Sequence, residues 1–524
     1  MGPDDGKPDS IDISNLLSGF RTRGVSIWCE GGRLRYRAPQ GLLTPEDIGR
    51  LAANRAGLIR LLEFEAVGSK DEWSANARLS PLTHSQRVHW NAYRLIQRHG
   101  VRQIASALRI RGRLVLDALQ AAVNDVIHRH DSLRTQIALL DGIPMQRTQK
   151  EGFCGLDIDD LAGVSGSSNE EIALQQVDEY LLRPVDVGTD ALVGMRLLRI
   201  GVDDHILVTA MEHSISDAAS LGIFLRDLFA FYRQNTKTAI RDELPSVGIQ
   251  FPDYAVWQQG THAAWLEKHS SYWNTRLMTW RRLHFPDDLA GTNDLSGWSS
   301  VSLVIDAQLR SSLSRLARQQ QTTLVITVFS AFAALVLRWC NVREAVFPFQ
   351  IDGRDTPGLE DSIGYFSSTL YVHVEFLPED RFVDLLRRVM SGYCTAYEHR
   401  DADYAESRLS PPTYTHNSAF NWIPRGPDDG TQLASLDGME CSALRFQHPM
   451  LKTFELDWEP TVLMFDDGYE VRGEVSFAAK RFSEEYMQRF AQSLITLLRA
   501  VLAEPYSPIL RVPMADLIRS RKYP

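Results

Sequence analysis

Cysteine is scarce in this 524-residue chain: Cys29, Cys154, Cys340, Cys394 and Cys441 are five widely spaced residues with no C-x-x-C pair. An odd, scattered set excludes a disulfide framework and a zinc site, so a reducing, cytoplasmic setting and no bound metal are expected. Long apolar runs are lacking too. The longest, Leu324 to Leu337, spans 14 residues, short of the roughly 20 that a bilayer span needs, and reads as a buried core helix. The opening MGPDDGKPDS has no apolar centre, so no signal peptide is expected. Positive charge is not in excess either. With 56 Lys and Arg against 66 Asp and Glu the net charge is -10, which argues against a nucleic-acid partner, because phosphate binding needs a basic face. What is there is ordinary for a globular protein, 44% hydrophobic and 23% charged residues, so extensive disorder is not expected. The length implies about three units, or one large two-lobed enzyme.

Residues 11–65 carry a pattern of their own. Ile13, Leu16, Leu17 and Phe20 predict a short amphipathic helix. Two short alternating runs, VSIWC and LRYR, flank Glu30-Gly31-Gly32-Arg33 and predict a hairpin. Thr44-Pro45-Glu46-Asp47 then opens a second helix with a capping residue, a proline and a carboxylate three residues after the cap. Its apolar stripe is Ile48, Leu51, Ala52, Leu58, Ile59 and Leu62. The unit is thus α-β-β-α. Arg33, Arg35 and Arg37 alternate along the second strand and share one face. Such a face either docks an acidic peptide added as an extra strand or is a solvated basic edge that blunts aggregation. Residues 66–78 are polar and unpatterned, a linker. The remainder alternates helical and strand patterns, among them a helix from Leu114 to His128, a strand from His205 to Met211, and helices Ala219–Tyr232 and Thr322–Trp339. This is an α/β arrangement of a size that favours two lobes, here divided as 79–262 and 263–524.

One place combines these patterns with chemistry. The strand HILVTAM runs into Glu212-His213-Ser214-Ile215-Ser216-Asp217-Ala218 and then an amphipathic helix. A histidine at a strand end before a helix can face a cleft, and a neutral imidazole is suited to accepting a proton from an amine or hydroxyl. H-x-x-x-D alone is weak: His399 and Asp403 match it as well, and Asp217 stands where a helix N-cap aspartate belongs. Only His213 has the strand-to-helix switch around it.

The string MEHSISDAAS resembles the H-H-x-x-x-D-G motif of nonribosomal peptide synthetase condensation domains, which have a chloramphenicol-acetyltransferase-like fold. Four further stretches resemble that family's motifs in order. They are LSPLTHSQRVHW (Leu79–Trp90, with Thr83 for serine and Val88 for arginine), RHDSLRT (Arg129–Thr135), FPDYAVW (Phe251–Trp257), and Gly353-Arg354 followed by Ile363-Gly364-Tyr365-Phe366-Ser367-Ser368-Thr369. The wording GVSIWCEGGRLRYRAPQGLLTPE is similar to the small α-β-β-α docking domains at the front of synthetase subunits.

The resemblance implies two lobes in a V with a tunnel between them, preceded by the docking domain. It implies that His213 is the essential histidine and that Asp217 is structural, salt-bridged to Arg354. Glu212 stands for the first histidine, Ala218 for the glycine, and Ser367-Ser368 for Val-Asn. Glu212 and Asp217 also imitate the D-x-x-x-x-D of heterocyclisation domains, a reading that the retained His213 argues against. Arg33, Arg35 and Arg37 would contact the short linear motif at the C-terminus of a partner subunit. The expected activity is transfer of an acyl or peptidyl chain from carrier-protein phosphopantetheine to a small-molecule or carrier-bound amine or hydroxyl, without a cofactor of the chain's own. No adenylation or carrier domain is visible, so a stand-alone enzyme is expected. A CoA-dependent acyltransferase and an inactive recruiting module are the alternatives.

Overall fold

The computed structural model describes residues 13–30, 32–39, 42–55, 57–59, 62, 77–96, 103–152, 154–162, 169–236, 243–277, 283–288, 297–400, 417–424, 438–444 and 459–511. Most of the expected linker, and Asp403, lie outside these residues.

The N-terminal unit is α1 (Ile13–Thr22), β1 (Ser26–Glu30), β2 (Arg33–Arg37) and α2 (Pro45–Ala53). Thr44 and Asp47 form the reciprocal capping box. Arg23 grips Asp47 with two hydrogen bonds of 2.9 and 2.7 Å, holding its carboxyl well below the usual range, and so ties the end of α1 to the start of α2. Gly32 turns the hairpin at φ +69°, a conformation that favours glycine. The expected apolar stripe is not uniform. Leu51, Leu58 and Leu62 are buried, whereas Ile48 is 45% exposed, because α2 turns it outward.

The body continues with β3 (Ala77–Pro81), α3 (His84–Ile96), β4 (Gln103–Arg111), α4 (Leu116–Arg129), β5 (Thr135–Leu140), β6 (Ile143–Gln149), β7 (Leu156–Asp160), α5 (Asn169–Leu181), β8 (Val193–Gly201), β9 (Asp204–Glu212), α6 (Ala218–Asn235) and α7 (Phe251–Leu277). Its second half has β10 (Trp298–Ile305), α8 (Ala307–Gln319), α9 (Leu324–Trp339), β11 (Glu344–Ile351), β12 (Ser368–Glu375), α10 (Phe382–Glu398), β13 (Phe420–Pro424), β14 (Glu440–Ala443), β15 (Thr461–Asp466), β16 (Val471–Ala478) and α11 (Glu484–Ala503). Ala77 and Arg78, expected in the linker, already belong to β3. The 27-residue α7 runs unbroken through the expected lobe boundary at 262, so the change of lobe is not a loop there.

The first lobe has a five-stranded sheet, β14-β4-β9-β8-β7, and a three-stranded sheet, β3-β6-β5. The second has a six-stranded sheet, β10-β16-β15-β13-β11-β12. β14 comes from the second half of the chain yet pairs antiparallel with β4 of the first lobe, so the chain crosses back over the junction. α9 is buried on every side from Ile326 to Trp339 inside the second lobe's core, which accounts for its continuous apolar sequence. Among the described residues no single helix is long and apolar enough to cross a membrane.

The N-terminal unit is not packed on itself alone. Leu16, Leu17, Phe20, Val25, Ile27, Leu51, Leu58 and Leu62 form one apolar cluster with Ile249, Phe251, Tyr254, Leu359 and Phe366 of the body. Gly57 lies so close to Pro357 that a Cβ there would stand 3.2 Å from its Cγ. Leu58 is fully buried, so Leu58→Ala should cost about 2–5 kcal/mol through lost transfer energy and a cavity. Unfolding followed by tryptophan fluorescence should show the transition of the whole protein shifted. A body transition that stays in place would show the unit melting independently.

Candidate active site

β9 is buried along nearly its whole length and delivers Glu212 and then His213 to the junction of the two lobes. A single 3-10 turn, His213–Ile215, separates the strand from α6. Gln86 of α3 fixes this turn: its amide donates to the Ser214 carbonyl at 2.8 Å. Thr83, in the place of a serine, keeps the hydroxyl that caps Gln86 N–H at 3.2 Å, so that substitution changes nothing locally.

Asp217 is both an N-cap and an ion-pair partner. Its carboxylate accepts from Ser220 N–H (2.9 Å) and Ser220 Oγ (2.8 Å), while Arg354 donates in bidentate fashion at 2.9 and 2.8 Å. Phe366 N–H and Ser367 N–H add bonds of 3.1 and 3.2 Å. Burial alone would raise this carboxyl; the Arg354 guanidinium outweighs it and holds the pKa below the ordinary value. Arg354 itself is 5% exposed, lies 4.5 Å over the Phe366 ring and also reaches Asp352. Gly353 ahead of it has φ +76°, and a Cβ there would strike the Phe366 carbonyl oxygen, so glycine is required for the segment to close. Residues 353–367, from the second lobe, are thus fastened to the first.

His213 is half-buried. Its Nδ1 lies 2.8 Å from the Ser216 carbonyl. A carbonyl can only accept, so Nδ1 carries the proton and Nε2 is the basic atom. The imidazole pKa lies below its ordinary value, first through burial and next through the charge of His89, with the Ser216 carbonyl, Glu212 and Asp217 opposing. The Tyr365 ring stands 4.4 Å away. Tyr365 in turn lines an open cleft together with Val88, Asp355, Ser367, Ser368 and Arg400. His213 thus packs against a residue of the cleft wall.

The other expected residues fall as follows. Ser367 and Ser368 line the cleft, and the Ser367 carbonyl accepts from Ser85 Oγ at 3.0 Å. Ala218 is exposed at the first position of α6, so its methyl group is accommodated in solvent, and it is not among the cleft residues. Glu212 is 1% exposed, with His89 Nε2 at 3.0 Å and Ser214 N–H on its other oxygen. His399 is stacked on Tyr272 and 2.7 Å from His269, and among the described residues no contact with His213 accompanies these. Arg33, Arg35 and Arg37 are exposed along β2 of the N-terminal unit. Sequence reasoning missed His89 and Tyr365. A buried carboxylate at 212 demanded a cation, but nothing in the spacing chose among 14 histidines.

Residues 76–517 match the condensation domain and residues 13–63 the TubC N-terminal docking domain. The chain belongs to the condensation-domain family. It carries a docking domain as well. Cyclosporin synthetase of Tolypocladium inflatum is 30% identical over 426 residues, covering 79% of this chain and 3% of its own length. Enniatin synthase of Fusarium equiseti is 26% identical over 455 residues, 84% of this chain and 14% of its own. The chain thus spans only a small part of the curated relatives it matches. Among solved structures, the X-domain from teicoplanin biosynthesis superposes with a TM-score of 0.70 at 22% identity, covering 83% of this chain and 97% of its own. The condensation domain of the enacyloxin polyketide synthase does so with a TM-score of 0.59 at 21% identity over the whole of both chains. These likenesses show a shared fold.

Arg354→Ala would leave the Asp217 carboxylate buried without its cation. The expected loss is about 3–5 kcal/mol, read by denaturant unfolding. Arg354→Lys should recover only part of it, since an ammonium cannot span both carboxylate oxygens. Wild-type stability in Arg354→Ala would remove the pair from its place at the junction.

Proposed function

We propose that this condensation domain transfers an acyl or peptidyl chain from the phosphopantetheine thioester of a carrier protein to a hydroxyl or amine, and releases the chain when the acceptor is a free small molecule. The observation that carries the reading is the tautomer of His213: with Nδ1–H pinned to the Ser216 carbonyl, Nε2 is free of its proton and directed by a fixed ring. The acceptor gives its proton to Nε2 as its oxygen or nitrogen bonds to the thioester carbon. The C–S bond then breaks, and the leaving thiolate takes the proton from the imidazolium, giving ester or amide and free thiol. Asp217 and Arg354 do not touch the reactants; they hold the wall against which these meet. Holding two reactants in register supplies a large share of the rate.

Recruitment is assigned to the docking domain. Its β2 presents Arg33, Arg35 and Arg37 outward, beside Trp28 at 40% exposure, which suits an acidic C-terminal motif of the carrier's subunit laid along the strand. Tethering of this kind raises the donor's effective concentration without a new contact at His213. A second reading, a recruiting module without turnover, draws on Glu212 in place of the first histidine.

His213→Ala should abolish acyl loss from a loaded carrier, followed by intact mass, while carrier affinity stays within about twofold; full turnover in that variant would refute the base. Acyl-carrier and acyl-CoA donors compared side by side should favour the carrier. In the wild type, the acid limb of kcat/KM should fall below the ordinary imidazole value of about 6.5, because a depressed pKa keeps the base neutral to lower pH. An acid limb above that value would contradict the site. Arg33, Arg35 and Arg37 changed together to glutamate should raise KM for the tailed carrier far more than for a tail-less one.

A further inference from the structure

Glu212 is almost completely enclosed, and the reaction above makes no use of it. Its backbone closes β9: the N–H donates to the Leu192 carbonyl at 2.8 Å, and its own carbonyl accepts from Ser216 Oγ at 2.9 Å. The side chain turns back over the residues that follow. One oxygen accepts from the N–H of Ser214, and the other lies 3.0 Å from His89 Nε2. A proton sits on this second line whichever partner owns it, so the contact does not depend on the charge of either group. The Ser214 peptide is thus held at both ends, its N–H by Glu212 and its carbonyl by Gln86 of α3. His213 lies inside this frame. Glu212 ahead of it and Ser216 behind it are bonded to each other, and Ser216 offers the carbonyl that takes the Nδ1 proton.

We propose that Glu212 is a positioning residue for acyl transfer: its carboxyl group spans Ser214 N–H and the His89 ring, and by closing the 3-10 turn it fixes the direction in which His213 Nε2 points. The inference rests on the reading of His213 as the base. A single 3-10 turn has little hold on itself, and a buried peptide N–H left there without an acceptor would be costly. α3 therefore braces the turn twice, through Gln86 directly and through His89 by way of Glu212. What the site asks of residue 212 is reach, a group long enough to meet both partners at once. Where the motif of the resembling family has an imidazole, this chain answers with two oxygens on a flexible stem.

Two variants separate reach from charge. Glu212→Gln keeps the length and an oxygen for Ser214 N–H but carries no charge; its kcat should stay within about fivefold of the wild type, the scale of one hydrogen bond exchanged for another. Glu212→Asp keeps the charge and is one methylene short; its kcat should fall about a hundredfold, the scale of a misdirected reacting group, with KM moved less than about threefold. The reverse order, or two variants of equal kcat, would show that reach is not what the site uses, and overturns the proposal. The proton resonance of His213 Nδ1–H, sheltered by Ser216, gives a readout free of turnover: it should persist in Glu212→Gln and broaden through solvent exchange in Glu212→Asp. A merely stabilising side chain would lower the melting temperature of both variants and leave this signal in place, which equally sinks the idea. Should the wild type transfer nothing, the base assignment fails by itself, and the resonance still decides whether Glu212 aims the ring.

Discussion

The junction of the two lobes depends on the bond between Asp217 and Arg354. The carboxylate belongs to the first lobe, at the cap of α6; the guanidinium belongs to the second, on the segment after β11. Neither would tolerate its burial alone, so each lobe completes the other. Six donors converge on Asp217, two of them backbone N–H groups of Phe366 and Ser367. The pair therefore fixes the course of the chain through Tyr365 as well as joining two surfaces. Tyr365 both lines the cleft and packs on His213, so the ion pair helps set the surroundings of the base without contacting it.

The buried carboxylates around the base each have a partner. Glu212 lies against His89 and Asp217 against Arg354, all of them shielded from solvent. His213 stands between these two pairs. That balance has been reached with a carboxylate where the related motif has an imidazole, so the substitution at 212 reads as an exchange of partners.

Much of this was legible in the sequence where the information is local. The strand-to-helix switch, the cap at Thr44, the glycine turn and the wording around His213, Asp217 and Arg354 all depend on residues a few positions apart, or on ordered motifs. What was not legible depends on contacts between distant segments. The sequence places His89 inside the first motif, 123 residues from the carboxylate it meets, and no period links them. Ile48 obeyed the helical stripe yet faces solvent, because periodicity names a face and cannot say how far the neighbouring surface extends. The boundary at 262 fell inside α7 because a change of lobe leaves no mark when one helix serves both.

The shared apolar cluster beneath the N-terminal unit bears on how the specificity of such a chain can be altered. The inward side of the hairpin and both helices contribute to an interior that also contains Phe251 and Phe366, while the outward positions of β2 meet solvent. Exchange of the first 62 residues for a foreign recruitment cassette would transplant half of a fitted seam. Retargeting to another donor is thus confined to the outward side chains, while the buried ones must co-evolve with the body on which they sit.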